Sequence, residues 1–377
     1  MPDILSTLLT IGNEVFHISS GVPLAIADRM PKILSILLTM RLRKLLRERE
    51  IKLRFFKDER KALRKLKGKE IITNDDDFTK NLLKKAGFIF FHAVDEATNE
   101  TVEIIKEEMK NIKTKEIVGF GGGKAIDVAK KIAADLNIKL ISFPTAPSHD
   151  GLISKNCSLY CEGKRKTIPA VYPIKVIIPL NLWKNSGNLR KAGICDLLSN
   201  LIALQDLSLA ERKGEKFEDL YKYLSFQATK LVNFEKEKHF AYALIFSGLA
   251  MEKTSRYCSG SEHIIERLLE EKISNGYLHG QLVGAGALIS AKIYSKFIDS
   301  SPELRFDCQN LFDTVKDGMK SENVFDFAKI PLEDKRFNPD WLKELSVLRP
   351  ERYTLWNEID SKKINWREII EEIKSSS

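Results

Sequence analysis

Cysteine is scarce in this chain of 377 residues: Cys157, Cys161, Cys195, Cys258 and Cys308 are all there are. Five is an odd and sparse number, which excludes a disulfide framework and suggests a reducing, cytoplasmic setting. Cys157 and Cys161 are four apart but no second pair follows, so a zinc knuckle is not expected either. Histidine is nearly as rare, with six in all. Missing too is an apolar run of the roughly eighteen residues that a membrane helix needs. The apolar start MPDILSTLLTIGNEVF has no basic leader and carries Asp3 and Glu14, so it does not read as a signal peptide. Acidic charge is not in excess: the net charge is +9, with the basic residues spread along the chain. Their one local excess, residues 41–69, reads as solvated helical faces, and no aromatic interleaving points to nucleic acid.

What remains is a globular composition, 43% hydrophobic and 30% charged, in a chain too long for one ordinary core. Residues 1–47 form an N-terminal extension of unknown role, with weakly amphipathic positions at Leu5, Leu8, Leu9 and again at Ile33–Leu38. From about residue 48 to 185 strands alternate with helices. IKLRFF, KEIIT, FIFFHAV, EIVGF, LISFPT and VIIPL are strand-like, and DERKALRKLK, DDDFTKNLLKKAG, NETVEIIKEEMKNI and AIDVAKKIAADLN are helical. That rhythm predicts a Rossmann-like α/β domain, a mostly parallel sheet with helices on both faces. Residues 186–377 turn helical and predict an all-α domain, with the active site in the cleft between the two.

Three constellations carry chemistry. In EIVGFGGGKAIDVAKKIA a strand delivers the chain to Gly121, Gly122 and Gly123, and a helix begins at once. Backbone N–H groups freed of side chains there can approach a pyrophosphate, and the helix N-terminus adds partial positive charge. The spacing is neither GxGxxG nor a P-loop, and a tight structural turn is the competing reading. In FPTAPSHDGLISKNCSL, Thr145, Ser148, His149, Asp150 and Ser154 crowd a loop past a strand's carboxyl end, where open α/β sheets bind ligands. Asp196, His263 and His279, in the helical half, make a plausible carboxylate and two-imidazole set for a divalent ion. Taken singly, Asp196 reads as a helix cap and each histidine as a structural one.

From about residue 50 to 365 the chain resembles the archaeal-type sn-glycerol-1-phosphate dehydrogenases, within the glycerol dehydrogenase and dehydroquinate synthase-like fold. The matching pieces are GGGKAIDVAK, FPTAPSHDGLIS, AGICDLLSNLIALQDLSLA, SGSEH, LHGQLVGAG and LRPERYTL, in that order. The resemblance implies reduction of dihydroxyacetone phosphate to sn-glycerol 1-phosphate for phospholipid biosynthesis. It implies that Gly121, Gly122, Gly123, Lys124, Ala125, Ile126 and Asp127, with Thr145, Ala146, Pro147, Ser148 and Ser154, line NAD(H) or NADP(H). Asp150 would meet the substrate, while Asp196, His263 and His279 would hold Zn2+, Asp196 facing the substrate as well. A homo-oligomer in the cytoplasm is the expected setting.

The chain departs from that pattern at three places. Where the family motif SEHxxSH has serine and a substrate-contacting histidine, this chain has Glu266 and Arg267. Cys195 stands where glycine usually precedes the aspartate, and Gln281 replaces the glutamate of HGE. A guanidinium stays protonated, so Arg267 can bind a phosphate but cannot relay a proton as imidazole does. Two further readings follow from these changes: a diverged paralogue that keeps only nucleotide and metal binding, or a dehydrogenase of a related polyol phosphate. The acidic run Asp75-Asp76-Asp77 after KEIIT would disfavour the extra phosphate of NADP, or would simply cap the next helix.

Overall fold

The computed structural model describes residues 10–11, 14–15, 42–232, 237–273, 276–301, 304–348 and 351–376. Contacts divide the chain between Glu50 and Ile51. On the N-terminal side, Thr10–Ile11 pairs antiparallel with Glu14–Val15, and residues 42–48 are helical. The apolar positions read at Leu5 to Leu9 and Ile33 to Leu38 lie outside the described residues.

From Ile51 onward the α/β alternation is present. Strands β1 (Lys52–Phe56), β2 (Glu70–Asn74), β3 (His92–Val94), β4 (Glu116–Gly121), β5 (Lys139–Pro144) and β8 (Lys175–Pro179) form one six-stranded parallel sheet in the order β1-β8-β5-β4-β2-β3. Alternate residues feed opposite faces, as the two-residue period of a strand requires. Ile72, Ile117 and Leu140 join a core with helices α3 (Asn99–Met109) and α4 (Gly123–Asp135). Their neighbours Ile71, Val118 and Ile141 join another with α1 (Glu59–Leu63) and α2 (Asp77–Lys85). Both faces of the sheet are therefore covered, which is why its strands read as continuous apolar runs.

The strand read over residues 88–94 is shorter than expected. Only His92 to Val94 pair with β2, at the sheet's edge, while Ile89 and Phe90 stand exposed. A hairpin went unread: β6 (Asn156–Cys161) and β7 (Lys164–Pro169) pair antiparallel across Glu162 and Gly163, both with positive φ (55° and 73°). Two consecutive positive φ values match the tight turn that follows the twist of its flanking strands. The hairpin lies against α4, burying Cys157 and Leu159 in the α3/α4 core.

Beyond β8 the structure is helical: α5 (Leu180–Lys184), α6 (Asn188–Arg212), α7 (Asp219–Leu231), α8 (Glu237–Ala250), α9 (Ser261–Ile273) and α10 (His279–Phe297), then shorter helices to Ser375. Helix α6 is apolar and long enough to cross a membrane, but its residues 192–210 are all buried in the protein, as befits a central core helix. It packs on α7, α9 and α10. Close contact with α10 depends on glycine. A Cβ on Gly280 would fall 2.0 Å from the Ala192 carbonyl oxygen, and one on Gly284 would fall 3.0 Å from the Cys195 side chain. Cys195 thus fits where it does because the position facing it carries no side chain.

The same close approach joins β4 to α4, where a Cβ on Gly119 would lie 2.9 Å from the Ile126 Cα. Backbone cannot yield as a flexible side chain does, so Gly119→Ala is expected to cost about 1–3 kcal/mol through overpacking. A lowered urea midpoint with an unchanged slope would show it.

Candidate active site

The strand order places a topological switch between β2 and β4. The chain leaves β2 toward the outer strand β3 and leaves β4 toward β5 on the other side. In open α/β sheets a ligand crevice opens at that point, beyond the strands' carboxyl ends. Here the crevice is a cleft of about 670 Å³ whose lining includes Asn74 and Asp76 after β2, Gly122 after β4, and Thr145, Ala146 and Ser148 after β5. Asn181, Asn185, Ser186 and Leu189 close it from the helical side, with Phe78 and Thr79 at the start of α2.

The glycine run builds its floor. Gly121 has φ +135°, and a Cβ there would collide with Asn74, whose Oδ1 accepts the Gly122 N–H at 2.7 Å. Gly122 is the N-cap of α4 and supplies no side-chain cap, so the first N–H groups of the helix are not taken by one. The remaining residues of the run turn elsewhere. Ala125 and Ile126 are fully buried in the core, and Lys124 pairs with Glu96 at 2.6 Å. Asp127 accepts the Ser158 N–H at 3.1 Å and pairs with Lys130 at 2.9 Å.

Lys130 is completely buried and was not singled out from the sequence. Its ammonium also donates to the Gly151 and Asn156 carbonyls at 2.6 and 2.8 Å, so α4 grips the turn Asp150–Leu152 and the start of β6. Ser154 is buried and its Oγ accepts the Asn156 N–H at 3.0 Å. Pro147 places its carbonyl against Gly193 of α6, where a Cβ would fall 1.8 Å from the oxygen. The loop from Thr145 to Asp150 thus runs from the cleft to the helical half, held at Thr145, Pro147, His149 and Asp150.

At its end, Asp150 meets Asp196. The Asp150 N–H donates to Asp196 Oδ2 at 3.3 Å, and Ser247 Oγ of α8 donates to Asp150 Oδ2 at 2.5 Å. Asp196 lies about two turns inside α6, which corrects the reading of it as a helix cap: a side chain there is too far from the helix start. Its other oxygen, Oδ1, lies 3.7 Å from His263 Nε2 and 3.7 Å from His279 Nε2. The ligand atoms of the three residues all lie within 4.8 Å of one another. The two histidines, sixteen positions apart, meet because α9 and α10 pack side by side with their rings 5.4 Å apart.

Each imidazole is gripped from behind by a buried carboxylate. His263 Nδ1 contacts Glu262 Oε1 at 2.8 Å, and His279 Nδ1 contacts Glu266 Oε1 at 2.8 Å. With Nδ1 engaged by an acceptor, Nε2 of each ring faces Asp196 Oδ1, where its lone pair would be offered to a cation held between them. Glu266 also pairs with Arg165 of β7 at 3.8 Å, and Glu270 does so at 3.3 Å. Burial holds His263 neutral, pushed down to about 4, with the charge of His279 adding to the effect. Burial works the same way on His279, but Glu266 outweighs it and raises the ring to about 9. Burial, reinforced by Asp150, raises Asp196 to about 6, and burial raises Asp150 as well. An oxygen and two nitrogens crowded this closely, with raised carboxyls, form a donor set suited to a divalent cation.

Residues 69–186 match the iron-containing alcohol dehydrogenase family. Over 300 residues the chain is 34% identical to glycerol-1-phosphate dehydrogenase [NAD(P)+] of Metallosphaera sedula, covering 74% of this chain and 80% of that one. With the protein of the same name from Thermococcus sibiricus, identity is 32% over 284 residues, 71% and 77% of the two chains. The chain belongs to the glycerol-1-phosphate dehydrogenase family. It is accordingly an oxidoreductase. Its fold is that of a probable glycerol dehydrogenase from Sinorhizobium meliloti, with TM-score 0.61 at 18% identity over 86% of this chain and 95% of that one. An archaeal alcohol dehydrogenase from a Red Sea brine pool superposes with the same TM-score at 14% identity, covering 85% and 96%.

Against the family pattern, Arg267 sits half-buried on α9 one turn beyond His263. Gln281 has turned into the core, its amide donating to the Phe327 carbonyl at 2.9 Å. Asn74, Lys130, Ser247 and Glu262 are contributors that motif reading passed over, and Glu266 was named only as a departure from the family motif. Only Glu262 and Glu266 left a trace in the sequence, as acids four apart on one helix face.

Removing Lys130 as a charge leaves Asp127 and two carbonyls buried without their donor. Lys130→Met is therefore expected to lower stability by about 3–5 kcal/mol. Equilibrium denaturation checks this, and a loss under about 1 kcal/mol would show that Lys130 does not hold the loop.

Proposed function

We propose that this chain reduces dihydroxyacetone phosphate to sn-glycerol 1-phosphate with NAD(P)H, as an sn-glycerol-1-phosphate dehydrogenase that uses zinc. The observation that carries the reading is the convergence of Asp196, His263 and His279 beside Asp150, at the end of the loop that lines the cleft. The donor set fits zinc: two imidazole nitrogens and one carboxylate oxygen, with both Nδ1 atoms already engaged, leave positions open for other ligands. When bound, the ion supplies Lewis acidity toward the ketone oxygen and steadies charge on it as the hydride arrives.

The chain's own residues do the rest. The α4 N-terminus and the Thr145–Ser148 loop hold the dinucleotide, in a cleft whose size suits one. Held there, NAD(P)H would supply the hydride for the substrate's central carbon, and water would supply the proton for its oxygen. Asp150, fixed by Ser247, meets the substrate's hydroxyl group, and Asp196 faces the substrate and would hold the ion. Arg267, always protonated, meets the phosphate, a role a guanidinium performs with two parallel hydrogen bonds. Asp76 lines the cleft while its carboxylate caps α2 through the Thr79 N–H at 2.8 Å. A carboxylate there favours NADH over the more anionic NADPH. A cytoplasmic homo-oligomer supplying the glycerol phosphate backbone of archaeal-type phospholipids completes the reading.

Steady-state oxidation of NADH and NADPH with dihydroxyacetone phosphate, with zinc and with a chelator, tests it. Turnover should need the ion and proceed better with NADH. Asp196→Ala should lower kcat/KM by more than about a hundredfold, because losing a ligand exceeds the cost of losing a ligand's outer partner. Arg267→Ala should raise KM for the phosphorylated ketone about tenfold with kcat less affected. A wild-type chain silent with both cofactors, beside an Arg267→His variant that turns over, would replace this reading with that of a diverged, inactive relative.

Glu262→Gln and Glu266→Gln should each weaken zinc binding by about 10–100-fold, because each carboxylate orients one ligating imidazole. Competition with a chromophoric chelator measures this without reference to turnover. Wild-type affinity in both variants would show that the two carboxylates do not support the site.

A further inference from the structure

His149 has no part in the reading above, yet it occupies the junction of the cofactor cleft and the Asp150 turn. Its Nδ1 accepts the Gly151 N–H at 3.0 Å. That bond assigns the ring: Nδ1 carries the lone pair, so in the neutral imidazole the proton resides on Nε2. The Nε2 edge faces Gly123, where a Cβ would fall 2.9 Å from Nε2, 3.3 Å from Cε1 and 3.4 Å from Cδ2. Gly123 is the first residue of α4, and no side chain caps that helix. The third glycine of the run is therefore the seat of the imidazole. It brings a ring N–H beside the backbone N–H groups that begin the helix. Burial, opposed by Asp127 and reinforced by Lys130, keeps the ring neutral by pushing it down to about 4. Among the described residues no acceptor is recorded for Nε2.

We propose that His149 is a cofactor-contacting residue: its Nε2–H donates to the diphosphate bridge of the dinucleotide at the α4 N-terminus. This rests on the dinucleotide-binding reading above and deepens it. Two features point to a diphosphate rather than to any anion. The donors are of two kinds at neighbouring positions, the uncapped N–H groups that begin α4 and the Nε2 that packs on Gly123, so adjacent phosphates can each find a partner. The ring donates without carrying charge, so it discriminates by position and not by attraction alone. The bond at Nδ1 has a second consequence: the same imidazole that meets the cofactor also holds Gly151, next to Asp150, and so links cofactor and substrate sites.

The test uses the full chain with zinc and titrates NADH, ADP and adenosine into wild type, His149→Asn and His149→Gln. The Asn carbonyl oxygen can take the place of Nδ1 toward the Gly151 N–H but leaves no donor at the Nε2 position. The longer Gln places its amide nitrogen there. His149→Asn should weaken NADH and ADP by about tenfold or more, as loss of a hydrogen bond to a charged acceptor does, and leave adenosine unchanged. His149→Gln should recover part of the loss. Equal weakening of all three ligands in both variants would make His149 a structural residue and overturn the proposal, as would unchanged NADH affinity in His149→Asn. A wild-type chain that binds neither NADH nor NADPH would strike the dehydrogenase reading itself, and the role of His149 with it. Thermal melting of the variants identifies one that has lost its fold, and His149→Gln then carries the comparison.

Discussion

Asp196 is the group on which the site depends. It is a carboxylate in the middle of a buried helix, where an isolated charge would be very costly. Its two oxygens face different parts of the fold: Oδ2 takes the backbone N–H of Asp150, and Oδ1 faces the two imidazoles. One side chain thus joins the loop that leaves the sheet to two helices of the other half. Burial raises its proton affinity to about 6, and burial raises Asp206 as well, to about 7, so what sets Asp196 apart is the surroundings of Oδ1, which faces two imidazole nitrogens at 3.7 Å. Structural carboxylates of similar burial here look different. Asp206 has its oxygens filled by Tyr294 and by the backbone N–H groups of Ser261 and Leu355.

That arrangement requires backbones to come closer than side chains normally allow. Gly193 admits the Pro147 carbonyl to α6, Gly280 admits α10 to α6, and Gly286 admits the Glu262 carbonyl to α10. Each of these glycines lies within a helix, where it lowers helical stability relative to alanine by roughly 1 kcal/mol. The packing of three helices around Asp196 offsets that loss. In the sheet half the same principle works on a smaller scale. Gly121 makes room for Asn74, and Gly123 makes room for His149. A run of three glycines is thus not only a backbone approach to a ligand. It also seats two polar side chains at its ends.

These facts explain what could be read from the residues and what could not. The parallel sheet was legible because strands buried on both faces are continuous apolar runs, and Ile71-Ile72 and Ile117-Val118 are such pairs. The β6–β7 hairpin was not, because its turn, Glu162-Gly163, follows the polar loop at Asp150 and its strands alternate only weakly. Residues 88–91 misled in the other direction: they are apolar, but only His92–Val94 pair with β2, and among the described residues no strand lies beyond this edge. Asp196, His263 and His279 could be named because histidine is rare and the family motifs flank them. Their supporting groups could not. Lys130 looks like any helix lysine paired with Asp127 until two carbonyls arrive from the turn and the hairpin, 21 and 26 residues away in sequence. A contact of that kind has no local pattern.

The departure at Glu266 and Arg267 acquires a physical meaning from the same geometry. Helix α9 carries Glu262-His263 and, one turn on, Glu266-Arg267, so two acids share one strip of the helix and two bases the next. Set against the serine and histidine of the family motif, the change adds one anion and one permanent cation together. The anion is buried and compensated on both sides, by the Nδ1 of His279 and by Arg165 from the hairpin. Glu266 therefore contacts the Nδ1 of His279 as Glu262 contacts that of His263. Burial raises Glu262 to about 8, whereas the effect of burial on Glu266 is outweighed by His279, which lowers it, so only the second support charges its imidazole. Had Arg267 alone appeared, a permanent cation would have been added one turn from His263 with no anion beside it on the helix, and like charge would oppose a bound cation. With Glu266 beside it the local charge is unchanged. The pair is thus a balanced replacement: it gives up a group able to relay a proton and gains a fixed cation without cost to the donor set.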